Sequence, residues 1–191
     1  MDRRTLLQWM VATGGLSTVY RLSESDLERI GQAAHRHAAS DAAVAQRPLL
    51  TPAEHQLVAA ASECIIPHTD TPGALDAHVA DFVDVMLADW YPAADARRFR
   101  DGIAGLDALS RAQHRAAFAE VSPLQQAALV QRFDDEVAAL RPSGAERANK
   151  HWFAMLKYLT VWGYCTSEAG MRQLLRTYPR PNGYDGAAPA R

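Results

Sequence analysis

The side chains of this 191-residue chain that could do acid–base, metal or nucleophilic chemistry are seven histidines, two cysteines and a few carboxylates and hydroxyls near them. His35 and His37 stand two apart, which points them to different sides of a helix. His68 and Asp70 share a loop. His78 precedes Asp81 and Asp84, and its spacing from Asp81 can bring those two onto one helical face. One histidine with one carboxylate falls short of a metal site, so solvated or capping roles are expected for these groups. Thr166-Ser167-Glu168 invites a nucleophilic reading, but Ser167 as a helix N-cap accounts for it with less. Trp152, Phe153, Trp162 and Tyr164 could wall an aromatic ligand pocket, and a core or subunit-contact role is the expected one. Cys64 and Cys165 both sit in apolar surroundings. In an oxidising compartment they can pair, closing a loop of about a hundred residues worth a few kcal/mol. The alternative is two buried free thiols acting as small hydrophobes.

Cofactor signatures are missing from the sequence. There is no G-x-G-x-x-G, no P-loop, no G-x-S-x-G and no C-x-x-C-H. A flavin or nicotinamide enzyme is normally built on a strand–helix–strand unit, and no stretch shows the sustained alternation of a strand. No cofactor and no metal are therefore expected in this chain, and no catalytic residue is assigned. The composition agrees with a compact soluble body: 48% hydrophobic, 22% charged, with a net charge of -2 that draws it to neither nucleic acid nor anionic lipid.

The elements that would position these residues read as helix after helix. Ser25-Asp26-Leu27-Glu28 matches a capping box for a polar helix reaching about Ala39, whose thin apolar face predicts weak packing or a stalk. Thr51-Pro52-Ala53-Glu54 combines a cap, a proline at the first helical position and a reach-back glutamate. Leu57, Val58, Ala61, Cys64 and Ile65 follow at helical spacing until Pro67. After the loop from His68 to Gly73, a stripe of Val79, Phe82, Val83, Met86, Leu87 and Trp90 predicts the next helix. Phe99, Ile103, Leu106 and Leu109 mark another. Ser122-Pro123-Leu124-Gln125 repeats the capping logic ahead of Ala128, Leu129, Phe133, Val137 and Leu140. The near-continuous apolar run of Trp152, Phe153, Leu156, Leu159, Thr160 and Val161 predicts a central helix ended by Gly163. Thr166-Ser167-Glu168 would then start a short one with Met171, Leu174 and Leu175.

Both ends of the chain differ from this body. Arg3-Arg4 beside the apolar run Leu6 to Val19 has the form of a twin-arginine export signal, against the plainer reading of an amphipathic first helix. The run is shorter than a typical membrane span of about 20 residues. A small-residue site, Ala43-Val44-Ala45, lies late, so either the first 45 residues are cut away or the segment is kept as an anchor. From Tyr178, the prolines and glycines forbid a helix. The tyrosines there suit an arm laid over another chain, the plain alternative being an ordinary chain end. The expected organisation is a signal segment over 1–20, a polar helix and linker over 21–50, a helical domain over 51–176 and an extended tail over 177–191. The fold class is all-α, a compact multi-helix bundle.

Taken in order, several stretches resemble one family, the small subunit of gluconate 2-dehydrogenase type enzymes, similar to those of fructose, sorbitol, glucose and glucoside 3-dehydrogenases. They are Leu50-Thr51-Pro52-Ala53-Glu54, Ile65-Ile66-Pro67, Thr71-Pro72-Gly73-Ala74, Phe118, Leu156 to Leu159, Gly163-Tyr164, Thr166-Ser167-Glu168-Ala169-Gly170, Tyr178-Pro179 and Gly183-Tyr184-Asp185-Gly186. The resemblance implies a large partner of the glucose–methanol–choline type that holds FAD, and a cytochrome c subunit, with haem c, that takes the electrons onward. It also implies a role in maturing and exporting the flavoprotein, which fits Arg3 and Arg4, and a place in the periplasm or on the outer face of the inner membrane. This chain has Ala187 where relatives often carry a cysteine, and Cys165 where many have an aromatic residue, so no disulfide pattern is carried over. Contact surfaces are expected at Thr71, Pro72 and Gly73, at Gly163, Tyr164, Thr166, Ser167 and Glu168, and at Tyr178, Pro179 and Tyr184. The competing readings are a stand-alone periplasmic binding or scaffolding bundle and a small hydrolase or metal enzyme.

Overall fold

A computed structural model describes residues 23–38 and 49–174. Arg3 and Arg4, the Ala43-Val44-Ala45 site and the tail residues Tyr178, Pro179 and Tyr184 lie outside the described residues. The regular elements are α1 (Glu24–Ala38), α2 (Pro52–Ile65), α3 (Val79–Asp89), α4 (Ala93–His114), α5 (Pro123–Leu140), α6 (Ala145–Asn149) and α7 (Trp152–Thr166). Short 3₁₀ turns at Phe118–Glu120 and Arg141–Ser143 and a π turn at Gly170–Leu174 complete the described residues, which contain no strand.

Two of the helix starts follow the capping logic of the sequence. Thr51 Oγ1 accepts the Glu54 N–H at 3.3 Å while the Glu54 carboxylate accepts the Thr51 N–H at 2.8 Å. Arg100 of α4 grips that same carboxylate, with Nε at 2.9 Å, so the cap also ties α2 to α4. Ser122 and Gln125 form the equivalent box ahead of α5. At α1 the box sits two residues earlier than the sequence reading placed it. Ser23, not Ser25, is the cap, and Asp26 rather than Glu28 reaches back to its N–H at 3.2 Å.

α7 is apolar nearly all round, and that is possible only at the centre of a bundle. It touches each of the other six helices. Phe82, Phe99, Ile103 and Leu106 are fully buried in the same core as its own Leu156 and Leu159, each contributing about 1.5–3 kcal/mol of burial. Thr160, read as part of the apolar run, is fully buried and shares a hydrogen bond of 3.1 Å with Ser62 of α2, so neither hydroxyl is left bare.

Four expectations change here. α7 does not end at Gly163 but runs on to Thr166. Gly163 is instead where Phe82 crosses closest, since a Cβ there would meet the ring at 2.7 Å. Trp90 leaves the stripe: the helix has ended by then, and the side chain is 53% exposed. Ala128 is exposed, and Val130 takes its place in the core. Lastly, α1 is no stalk. It packs on α3 and α7 through Leu27, Ile30 and Ala34, with Gly31 against Thr166.

Candidate functional site

The loop between α2 and α3 and the end of α7, both singled out in the sequence, meet at one edge of the bundle. The loop is pinned by two carboxylates. Glu63, near the end of α2, accepts the His68 N–H at 2.6 Å and the Leu75 N–H at 2.9 Å. Asp76 accepts the Gly73 N–H at 2.7 Å and pairs with His68 Nδ1 at 2.6 Å. Asp76 therefore holds the His68 imidazole above its ordinary pKa, and His68 holds the Asp76 carboxyl below its own. Gly73 has no room for a side chain, because a Cβ would lie 2.5 Å from the His68 nitrogen and from the Glu63 carboxylate. From α7, the Tyr164 hydroxyl crosses to the loop and donates to the Pro72 carbonyl at 2.7 Å.

The end of α7 is closed by its own hydroxyls. Thr166 Oγ1 donates to the Trp162 carbonyl at 2.8 Å and Ser167 Oγ to that of Tyr164 at 2.7 Å. Ser167 Oγ also accepts the Gly170 N–H at 3.0 Å, which makes it the N-cap of the following turn, as the sequence implied. Above this end lies α1. The Trp162 indole donates to the Leu27 carbonyl at 3.0 Å, and His35 Nε2 sits 2.7 Å from the Gly163 carbonyl as a donor. The His35 ring stacks on Phe82, with centroids 4.9 Å apart and planes 29° from parallel. Burial pushes the His35 pKa down, which keeps the ring neutral.

Between α1, the 73–78 turn and residues 166–172 runs a groove of about 890 Å³, walled by His35, Asp76, His78, Asp81, Ser167 and Arg172 among others. Asp81 receives His55 Nε2 at 2.8 Å and faces His78 Nδ1 at 3.6 Å. The hydrogen bond from His55 keeps the Asp81 carboxyl low, and Asp81 in turn raises His55. His78 takes the left-handed conformation, with φ at 51°, at the start of α3.

A histidine oriented by an aspartate is half of a nucleophile-activating arrangement. The other half is not assembled here: the two hydroxyls at the groove, Thr166 and Ser167, are buried and spent on backbone carbonyls. The two thiols are equally remote from such chemistry. Cys64, half-buried, and Cys165, buried, stand as separate free thiols in this structure. Burial pushes their pKa values up to about 11 and about 12, away from the thiolate through which a disulfide would form. Among the described residues, no group of three or more His, Cys, Asp or Glu side chains could hold a metal ion.

The residues expected to touch a partner divide by exposure. Gly73, Gly163, Tyr164, Thr166 and Ser167 are buried within this chain, so their first role is to build the edge rather than to present it. Thr71 and Pro72 are half-buried and Glu168 is exposed, leaving those three with surface to offer. The sequence reading paired His68 with Asp70 and His78 with Asp81. His68 instead takes Asp76, and the closest histidine to Asp81 is His55, which drew no attention because α2 and α3 meet only in the fold. Asp84 serves the Leu50 N–H at 2.8 Å. No described helix is long and apolar enough to cross a membrane.

A family model described as gluconate 2-dehydrogenase subunit 3 matches residues 52–186, more than two thirds of the chain. No curated protein and no solved structure matches it. The chain belongs to the gluconate 2-dehydrogenase subunit 3 family, and so is a small subunit of a dehydrogenase complex.

Proposed function

We propose that this chain is the non-catalytic small subunit of a periplasmic, FAD-dependent sugar or polyol dehydrogenase, and that it supports the assembly, stability and twin-arginine export of its flavoprotein partner. The observation that carries the reading is the family match, which runs from Pro52 through α2 to α7 and on to Gly186 in the tail. The partner is of the glucose–methanol–choline type and oxidises a sugar hydroxyl by hydride transfer to its flavin. FAD belongs in that partner because the residues here do not fit it. Dinucleotide sites are built on a glycine-rich turn between strand and helix, and the described elements of this chain are helices. A cytochrome c subunit carrying haem c passes the electrons on. Arg3 and Arg4 at the start of the chain support export of the pair, to the periplasm or the outer face of the inner membrane. Thr71, Pro72 and Glu168 keep accessible surface at the built edge and form the contact surface with the flavoprotein, together with Tyr178, Pro179 and Tyr184 of the tail.

The test is to tag the chain in its native host, purify it gently, and record a visible spectrum beside a denaturing gel. A flavin band with a much larger co-purifying chain is expected, and a Soret band would add the cytochrome. A colourless single band, reproduced with the N-terminal segment intact and at low salt, would overturn the proposal and favour a stand-alone scaffolding bundle.

A further inference from the structure

Helix α1 precedes the family-matched residues 52–186 and nevertheless covers part of them. Its apolar hold is modest, resting on Leu27, Ile30 and Ala34. Its polar hold rests mainly on the Trp162 indole and on His35. His35 serves both kinds of contact at once, flat on Phe82 and bonded to the Gly163 carbonyl. We infer that α1 is an acid-released latch, in which protonation of His35 loosens the helix from the face formed by Phe82, Trp162 and Gly163.

The argument turns on what a second proton on the ring would meet. The neutral imidazole donates Nε2–H to Gly163 and presents an apolar face to Phe82, so it needs no counter-ion. An imidazolium at the same place needs a carboxylate, and each one facing the groove already has a partner, while the pull of Asp81 on the ring is outweighed by burial. Asp81 is held by His55 at 2.8 Å, Asp76 by His68 at 2.6 Å and Glu168 by Arg172 at 2.9 Å. Of the remaining groups along the groove, Arg36 and, when protonated, His78 repel a cation. An imidazolium can rest favourably on an aromatic face, a gain of about 0.5–1 kcal/mol where solvent reaches it. That gain is opposed by the burial that already pushes the docked ring's pKa down. A ring released into solvent titrates normally, so the released state binds the proton more tightly than the docked one. Docking is therefore firm above the ordinary histidine value of about 6.5 and weakens as the pH falls through it towards the docked value.

Amide hydrogen exchange on the full chain, corrected for intrinsic rates, tests this at about pH 7.5 and about pH 5.5, on either side of the histidine range. In the wild type, protection of residues 24–38 should fall severalfold at the lower pH while that of 52–65 is kept. His35→Gln retains a donor for Gly163 but cannot titrate, and its α1 protection should be the same at both. Unchanged α1 protection in the wild type, or full pH dependence in His35→Gln, overturns the inference. If His35→Gln leaves α1 unprotected even at the higher pH, NMR titration of the wild-type imidazoles decides. Loosening of α1 that follows His35 supports the latch, and loosening that follows His55, His68 or His78 instead overturns it.

Discussion

The centre of the bundle and the groove edge are built on the same helix, α7, by different means. From Trp152 to Thr160 the helix is held by shape and apolar area: Phe153, Leu156 and Leu159 are part of one buried apolar cluster, and the polar exception, Thr160, is answered by Ser62. From Trp162 to Thr166 the same helix is also held by directed bonds to backbone carbonyls, from Trp162 to Leu27, His35 to Gly163 and Tyr164 to Pro72. Apolar packing tolerates sliding until the last few contacts lock, whereas a hydrogen bond to a carbonyl fixes one distance and one direction. The edge thus adds directed geometry to buried area, since Trp162 and Tyr164 are themselves almost fully buried, which suits a place where two loops must be presented in a fixed relation.

The strongest way to break the comparison is to open the centre. Phe99→Ala removes a fully buried ring from α4, and should lower the unfolding free energy by about 3–5 kcal/mol, read by urea denaturation with the transition still cooperative. At the edge the largest loss should be smaller and local. Glu63→Gln replaces the oxygen that accepts the Leu75 N–H with a donor, which should cost about 1.5 kcal/mol, in the range for hydrogen bonds to charged groups. Proteolytic nicking between His68 and Leu75 should rise well before the bundle unfolds. A Glu63→Gln transition as deep as that of Phe99→Ala would mean that the loop is part of the core after all.

Tyr164→Phe sharpens the contrast further, since it deletes one hydroxyl and no packing. It should cost about 1 kcal/mol and raise amide exchange in the 71–76 loop while leaving α4 and α5 untouched. This bond also shows what the sequence could and could not convey. Caps are local, so Thr51 with Glu54 and Ser122 with Gln125 were legible from spacing alone. The apolar run of α7 was legible for the same reason. Tyr164 and Pro72 are 92 residues apart, His35 and Gly163 are 128 apart, and no periodicity links either pair. The importance of the two loops was visible as motif, but spacing alone could not tell which of their residues build the edge from within, as Gly73, Gly163, Tyr164, Thr166 and Ser167 do, and which keep surface, as Thr71, Pro72 and Glu168 do. For α1 the sequence left weak packing and a stalk both open, because only its thin apolar stripe could be counted and not the Trp162 and His35 bonds that dock it.

The smallest effect is electrical, and it separates two histidines that both act on Asp81. His55 gains a partner in Asp81 and its pKa is raised, so its contribution is fully present below the ordinary histidine range and is lost as the pH rises through the raised value. Asp81 is lowered by the same bond, so its share persists in acid until the pH falls through that lowered value. The pair should therefore hold α2 to α3 most firmly in mild acid, where His35 is weakening α1. His55→Asn should reduce the melting temperature more at about pH 5.5 than at about pH 8, either side of the histidine range. Both side chains are over a third exposed, so solvent screening keeps the difference to a few degrees at most. A larger loss at the higher pH would show that His55 contributes packing rather than charge, and that the acid-strengthened and acid-weakened contacts of the edge are not opposed.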